Sequence, residues 1–267
     1  MDVVEFLGME QRGDARHWEL YVDEHVITPG QFLFGGCGLG ASIVALEKAS
    51  GRPAIWATAQ YLSYAPFQST LTIDVDISVE GGHVTQARAV GRDGDREVLT
   101  VNAALGSNTF DEGGVWVTPP VVPSPEDCPP RRLPPMVENS IFHNIDARVA
   151  SGRTWEELDG VPGSPNSALW ARLPGHLEPS AATLAIYGDY LTGGVAGAVG
   201  KHTMGRSLDN TIRIVQLEET EWVLCDMRLH ALVNGYAQGI AYLWSEKGTL
   251  LATASQSLAV QLWPEGR

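Results

Sequence analysis

The sequence predicts an α+β fold made of two repeats, each a central helix wrapped by an antiparallel β-sheet. Three observations carry that reading. In residues 71–79, Leu71, Ile73, Val75, Ile77 and Val79 alternate with Thr72, Asp74, Asp76 and Ser78, the period of a strand with one dry and one wet face. Two short apolar helical stretches, at 36–50 and 179–192, lie about 143 residues apart, and the strands after them about 150 apart. Between the halves, residues 118–135 (TPPVVPSPEDCPPRRLPP) hold eight of the sixteen prolines, a composition that suits a stiff extended connector and neither helix nor sheet interior.

Taken in order, residues 18–28 place Trp18, Leu20 and Val22 on alternate positions and read as a strand closed by Pro29-Gly30. A glycine run, Phe34-Gly35-Gly36-Cys37-Gly38-Leu39-Gly40, then opens a buried helix that ends at Gly51. Strands follow at 54–66, 70–79, 84–92 and 97–105, with Gly81-Gly82 and Asp93-Gly94-Asp95 as hairpin turns. The domain reading is therefore 1–117 for the first repeat, 118–135 for the linker and 136–267 for the second repeat. The second half repeats the plan: strands at 141–149 and 168–173, and a helix over 179–191 with proline in its first turn. A Gly-rich turn comes next, then strands at 206–217, 221–232, 235–245 and 249–262, with Asn234-Gly235 and Lys247-Gly248 at hairpins.

Composition bounds the function. Of 267 residues, 44% are hydrophobic and 19% charged, enough to build a core. A net charge of −14 disfavours a nucleic-acid partner, whose phosphates need a basic face. The reading is of a chain with no signal peptide and no membrane segment. Cys37, Cys128 and Cys225 share no metal-like or redox-like spacing, and so sparse a count suits a reducing cytosol. The glycine run lacks the strand before it and the acidic residue after it that a dinucleotide fingerprint requires, so close helix packing explains it better. No Ser/His/Asp elbow or metal-ligand spacing occurs.

Several short motifs then fall in a meaningful order. Phe34-Gly35-Gly36 opens the first helix, and Tyr187-Gly188-Asp189 closes the second. Ser207-Leu208-Asp209-Asn210 starts a strand, Glu221-Trp222 follows, and residues 248–256 (GTLLATASQ) end on Gln256. Together these resemble the acyl-CoA thioesterase II (TesB-like) family, including its FGG, its Thr/Ser-x-Asp-His strand start and its G-x-L-V-A-S-x-x-Q. One helix wrapped by a sheet, twice in one chain, is similar to a double hotdog. The resemblance implies a cofactor-free acyl-CoA thioesterase in which Asp189, Ser207 and Gln256 position and polarise a water, with no covalent acyl-enzyme. Asn210 stands where the family commonly has His, and Ser207 where Thr is more usual. Tyr64-Ala65-Pro66 replaces an Arg-Pro-Gly.

The residues make chemical sense of this. Thioester hydrolysis needs a base for a water and a donor for the oxyanion. Asp189 in an apolar tunnel would have its pKa driven up toward a base's range, while a hydroxyl and an amide orient without competing as bases. Gly35, Gly36 and Cys37 are expected to contact substrate, with amides around Gly36-Cys37 or in the Gly-rich stretch after Asp189 as oxyanion candidates. Asp209, two residues from Ser207, is expected on the same face and is a second candidate carboxylate. Lys201, His202, Arg206 and Arg131-Arg132 are candidates for the coenzyme A phosphates. The first helix carries no carboxylate matching Asp189, its nearest being Glu47, so the site should be single. A homo-oligomer, dimer or tetramer, is expected. Two alternatives stand beside hydrolysis: a hydratase or dehydratase, which wants an Asp/His pair that this helix lacks, and a non-catalytic acyl-CoA-binding protein.

Overall fold

The computed structural model describes residues 2–110, 112–132, 139–175 and 177–263. The last three residues of the expected linker (133–135) and the first three of the expected second repeat (136–138) lie outside the described residues.

The chain opens with a one-turn helix, α1 (Val3–Phe6), and a short strand, β1 (Met9–Gln11), neither expected from sequence. Strand β2 (His17–Tyr21) is shorter than the 18–28 expected, and helix α2 (Gly35–Ser50) begins within the glycine run and stops at Gly51 with φ of 66°. Strands β3 (Ala54–Tyr61), β4 (Thr70–Glu80), β5 (Val84–Asp93) and β6 (Arg96–Gly106) complete the first half. The second half holds helix α3 (Ile141–Asn144), strands β7 (Asp146–Ser151) and β8 (Asn166–Arg172), helices α4 (Ala181–Tyr187) and α5 (Leu191–Val199), and strands β9 (Thr203–Ile214), β10 (Val223–Val233), β11 (Tyr236–Ser245) and β12 (Leu250–Leu262).

Among the described residues these strands form one twelve-stranded antiparallel sheet in the order β1-β2-β4-β5-β6-β3-β9-β12-β11-β10-β8-β7. From β2 to β8 the order is a palindrome about the β3–β9 junction, each strand of one half matched by its counterpart in the other. This is the double hotdog, an α+β fold, with α2 and α4–α5 on the enclosed face.

Two sequence expectations are corrected. Residues 141–144 turn as a helix rather than entering a strand. Ile141 is fully buried there and its N–H donates to the Ile27 carbonyl at 2.8 Å, which ties this turn to the first half. The Gly-rich stretch after Asp189 is the helix α5 and not a turn. Leu191, Gly194 and Val195 fall at i, i+3 and i+4 and are buried, so packing overrides the poor helix propensity of glycine.

The glycines of α2 serve close helix approach. A Cβ on Gly36 would lie 2.9 Å from the Ile186 Cα, and one on Gly40 2.9 Å from the Ala182 carbonyl oxygen. Helices α2 and α4 therefore meet backbone to backbone, and this contact sets where the end of α4 delivers its next residues. On the outer face of the second half, Trp170, Trp222 and Trp244 form a separate apolar cluster. The proline-rich segment joins it, with the Trp170 indole N–H donating to the Pro123 carbonyl at 3.0 Å.

Candidate active site

Asp189 sits at the break between α4 and α5, just after Gly188, and is almost wholly buried. Its two oxygens are held differently. Oδ2 accepts from the backbone N–H of Gly36, at the start of α2, at 2.7 Å. Oδ1 accepts from the Ser207 hydroxyl at 3.1 Å, from the Asn210 amide at 3.4 Å, and from Nε2 of Gln256. The same Nε2 donates to the Ser207 oxygen at 2.7 Å. Asp189, Ser207 and Gln256 are thus brought together, two from the helix break and the strand after it and one from a strand hydrogen-bonded to that strand.

Burial drives the carboxylic acid up to about 6, with the Gly36 N–H and then Gln256, Ser207 and Asn210 each pulling the other way. The side-chain carbonyl oxygens of Asn210 and Gln256 are buried with no hydrogen-bond partner among the described residues. Two acceptors without donors beside a carboxylate make a place where a bound water's protons can be directed.

Strand pairing explains which side chains reach this point. Gln256 on β12 lies directly opposite Asn210 on β9, so the two amides share a face. A bulge follows, with Ser257 opposite Asp209 but Leu258 opposite Ser207. The extra residue, Leu208, shifts the alternation by one. Ser207 and Asn210 consequently point in together, and Asp209 does not.

Asp209 is therefore corrected: it lies on the outer face of the sheet beside Thr58, Gln60 and Asn102, accepting from the Ser257 N–H at 3.0 Å. Cys37 is also corrected. It is not among the residues lining the cavity described below: its side chain is fully buried in the core, and its N–H donates to the Phe34 carbonyl at 3.0 Å. Gly35 lines the cavity described below, while Gly36 contributes through its amide to Asp189. Asn210 was missed as a site residue; its signal was a polar side chain one residue past a candidate, concealed by the bulge. Glu47 lies elsewhere, accepting from the Ala54 N–H at 2.8 Å.

Asp189 and Ser207 open onto a cavity of about 550 Å³ whose walls are mainly apolar and aromatic, among them Phe34, Phe142, Tyr190 and Met227. Four arginines also line it: Arg131, Arg132, Arg153 and Arg206. The Arg131 guanidinium lies over the rings of Phe142 and Tyr190 at 5.5 and 5.7 Å. Arg153 pairs with Asp159 at 2.9 Å, and Arg206 donates to the Tyr64 hydroxyl at 3.0 Å. Of the other sequence candidates, Lys201 is exposed, and the His202 ring packs on Trp155 at 4.0 Å. Among the described residues no group of three or more His, Cys, Asp or Glu could hold a metal ion, and no helix is long and apolar enough to cross a membrane.

Residues 125–260 match the sequence family described as the acyl-CoA thioesterase C-terminal domain. A comparison with curated proteins gives no match. Among solved structures, the chain is similar to a protein described as a thioesterase from Novosphingobium aromaticivorans, at 32% identity and a TM-score of 0.84, covering 93% of this chain and 97% of that one. It is similar in fold to an acyl-CoA thioesterase II from Mycobacterium marinum, at 19% identity and a TM-score of 0.76, covering 99% and 100%. A hot dog fold protein from Alicyclobacillus acidocaldarius matches at 18% identity and a TM-score of 0.84, covering 98% of each chain.

Proposed function

The chain belongs to the acyl-CoA thioesterase family, and from that premise we propose that it hydrolyses an acyl-CoA to the free acid and coenzyme A with a water activated by Asp189, Ser207 and Gln256. The observation that carries this reading is a buried carboxylate, pushed up to about 6 and held by four donors, at the wall of a largely apolar cavity. That pKa lies close enough to neutrality for the group to be a carboxylate at pH 7 and still a useful base.

In the proposed reaction the acyl chain occupies the apolar part of the cavity and the arginines favour the anionic coenzyme A portion. Asp189 takes a proton from water as the water oxygen bonds to the thioester carbon. The carbon–sulfur bond then breaks, the acid is released, and the proton on Asp189 passes to the departing thiolate. Ser207 spends its one proton on Asp189, and the Gln256 Nε2 spends its two on Asp189 and on the Ser207 oxygen, so their part is to fix the carboxylate. The Gln256 and Asn210 carbonyl oxygens are the acceptors that orient the water.

A thiol-reporter assay across a panel of acyl-CoAs tests the reading: at least one chain class should release thiol in proportion to enzyme, and silence across the panel would sink it. The pH profile adds a finer test. Hydrolysis needs Asp189 ionised, so kcat should fall about tenfold per pH unit below an apparent pKa near 6 and level off above it. Gln256 lowers the pKa of Asp189, so Gln256→Leu should move the acid limb to higher pH as well as lowering the plateau. An unmoved limb in Gln256→Leu would separate Gln256 from the carboxylate.

A further inference from the structure

The hydrolysis proposed above needs a donor for the oxygen of the thioester carbonyl, and the amides of Gly36 and Cys37 do not supply it. The Gly36 N–H is committed to Asp189, and the Cys37 N–H donates to the Phe34 carbonyl at 3.0 Å. A side chain from the first half stands in the right place instead.

Strand β3 ends at Tyr61, and its alternation puts Ala57, Ala59 and Tyr61 on the face that covers the helices. The two alanines leave room for α2, and the last position fills the space beside Gly35 with a phenol. A Cβ built on Gly35 would lie 2.9 Å from Oδ2 of Asp189 and 3.0 Å from the Tyr61 hydroxyl oxygen. The carboxylate and the phenol thus face each other across a glycine with no side chain, near enough for one reacting group to touch both. Both Tyr61 and Asp189 line the cavity.

The Tyr61 hydroxyl is buried and has no hydrogen-bond partner among the described residues. A buried hydroxyl without a partner loses its hydrogen bonds to water with nothing in exchange, and its position beside a carboxylate points to a ligand as the missing acceptor. Burial, with the charge of Asp189 next, holds the phenol well above its ordinary pKa, so it keeps its proton and acts as a donor at any working pH.

We propose that Tyr61 is a further catalytic residue, whose hydroxyl donates to the thioester carbonyl oxygen and to the oxyanion that forms from it. No bond to Tyr61 is made or broken; its proton stays on the phenol while charge grows on the carbonyl oxygen and returns when the carbon–sulfur bond breaks. The site is then completed by both halves of the chain, the base from the second and this donor from the first.

The proposal rests on the hydrolase reading, and Tyr61→Phe separates the two. Loss of one oxyanion donor costs about 10²–10³ in kcat. Tyr61→Phe should therefore lose about a hundredfold or more in kcat with KM changed by less than about threefold. The acid limb should stay near 6, since Tyr61 is not among the groups that set the pKa of Asp189. Because the hydroxyl has no hydrogen-bond partner among the described residues, the melting temperature should hold or rise. A kcat within about threefold of wild type, in a chain that Asp189→Asn inactivates, would overturn the role of Tyr61 and leave the hydrolase intact. A kcat loss accompanied by a lower melting temperature would make the phenol structural and overturn it equally. A wild-type chain that releases no thiol from any acyl-CoA would overturn the underlying reading first.

Discussion

Asp189→Asn is expected to lose at least about a hundredfold in kcat and, at pH 8, to gain stability. The first effect follows from removing the base while keeping the side chain's shape. The second follows from linkage. Folding raises the pKa of this group from 3.8 to about 6, so the folded chain binds the proton more tightly than the unfolded chain. Stability from that proton is fully present below about 4 and is lost as pH rises through 6. Above that, the buried carboxylate costs about 3 kcal/mol relative to its neutral form. Asparagine avoids the charge, and a turn of the Gln256 amide presents an acceptor to its NH₂ group. A gain of about 1–3 kcal/mol at pH 8 that vanishes near pH 4 is the expected pattern by denaturant or thermal unfolding. An equal gain at both pH values would show that charge burial is not its source. Stability is thus given up at this position for a poised base.

Gly36→Ala is expected to cost both stability and activity. Its Cβ would lie 2.9 Å from the Ile186 Cα and 3.0 Å from the Ala185 carbonyl oxygen, and backbone atoms cannot swing aside. Helices α2 and α4 must separate, at about 1–3 kcal/mol for overpacking of this kind. The same shift draws the Gly36 N–H away from Asp189, three residues beyond Ile186, so kcat should fall about tenfold or more. Gly193→Ala in α5 is the control. Nothing lies within 4 Å of its added Cβ, so helix propensity should raise stability by up to about 1 kcal/mol. If Gly36→Ala melted at or above the wild-type temperature, close helix packing would not be the reason for the glycine run.

Much of the fold is legible in the sequence because its signals are local. The alternation in 71–79 became β4, with Leu71, Ile73 and Val75 buried before a register shift after Ile77, and Asn234-Gly235 became a hairpin with φ of 52° and 78° at the two turn positions. Asp189, Ser207 and Gln256 were legible only through the order of their motifs, since they lie 18 to 67 residues apart in sequence. What was not legible depends on tertiary detail. One inserted residue at Leu208 exchanged the faces of Asp209 and Asn210, and period-two counting cannot see a bulge. Glycine content hid α5, whose buried stripe matters only once a sheet covers it. The role of Gly36 as a donor to Asp189 needed the position of a side chain 153 residues away. Arg131 was named from sequence as a candidate for the coenzyme A phosphates, but its seat over the rings of Phe142 and Tyr190 is a tertiary contact that composition does not foretell.

The claim at the centre of this account is that Asp189 serves as a base for water and not as a nucleophile. A single turnover with enzyme in excess over acyl-CoA, run in ¹⁸O-labelled water and read by mass spectrometry of both the acid and the peptide containing Asp189, tests it most directly. Attack by water predicts one labelled oxygen in the released acid and none in Asp189. Label in the Asp189 carboxylate, with an unlabelled acid, would reveal an acyl–aspartyl anhydride and contradict the account.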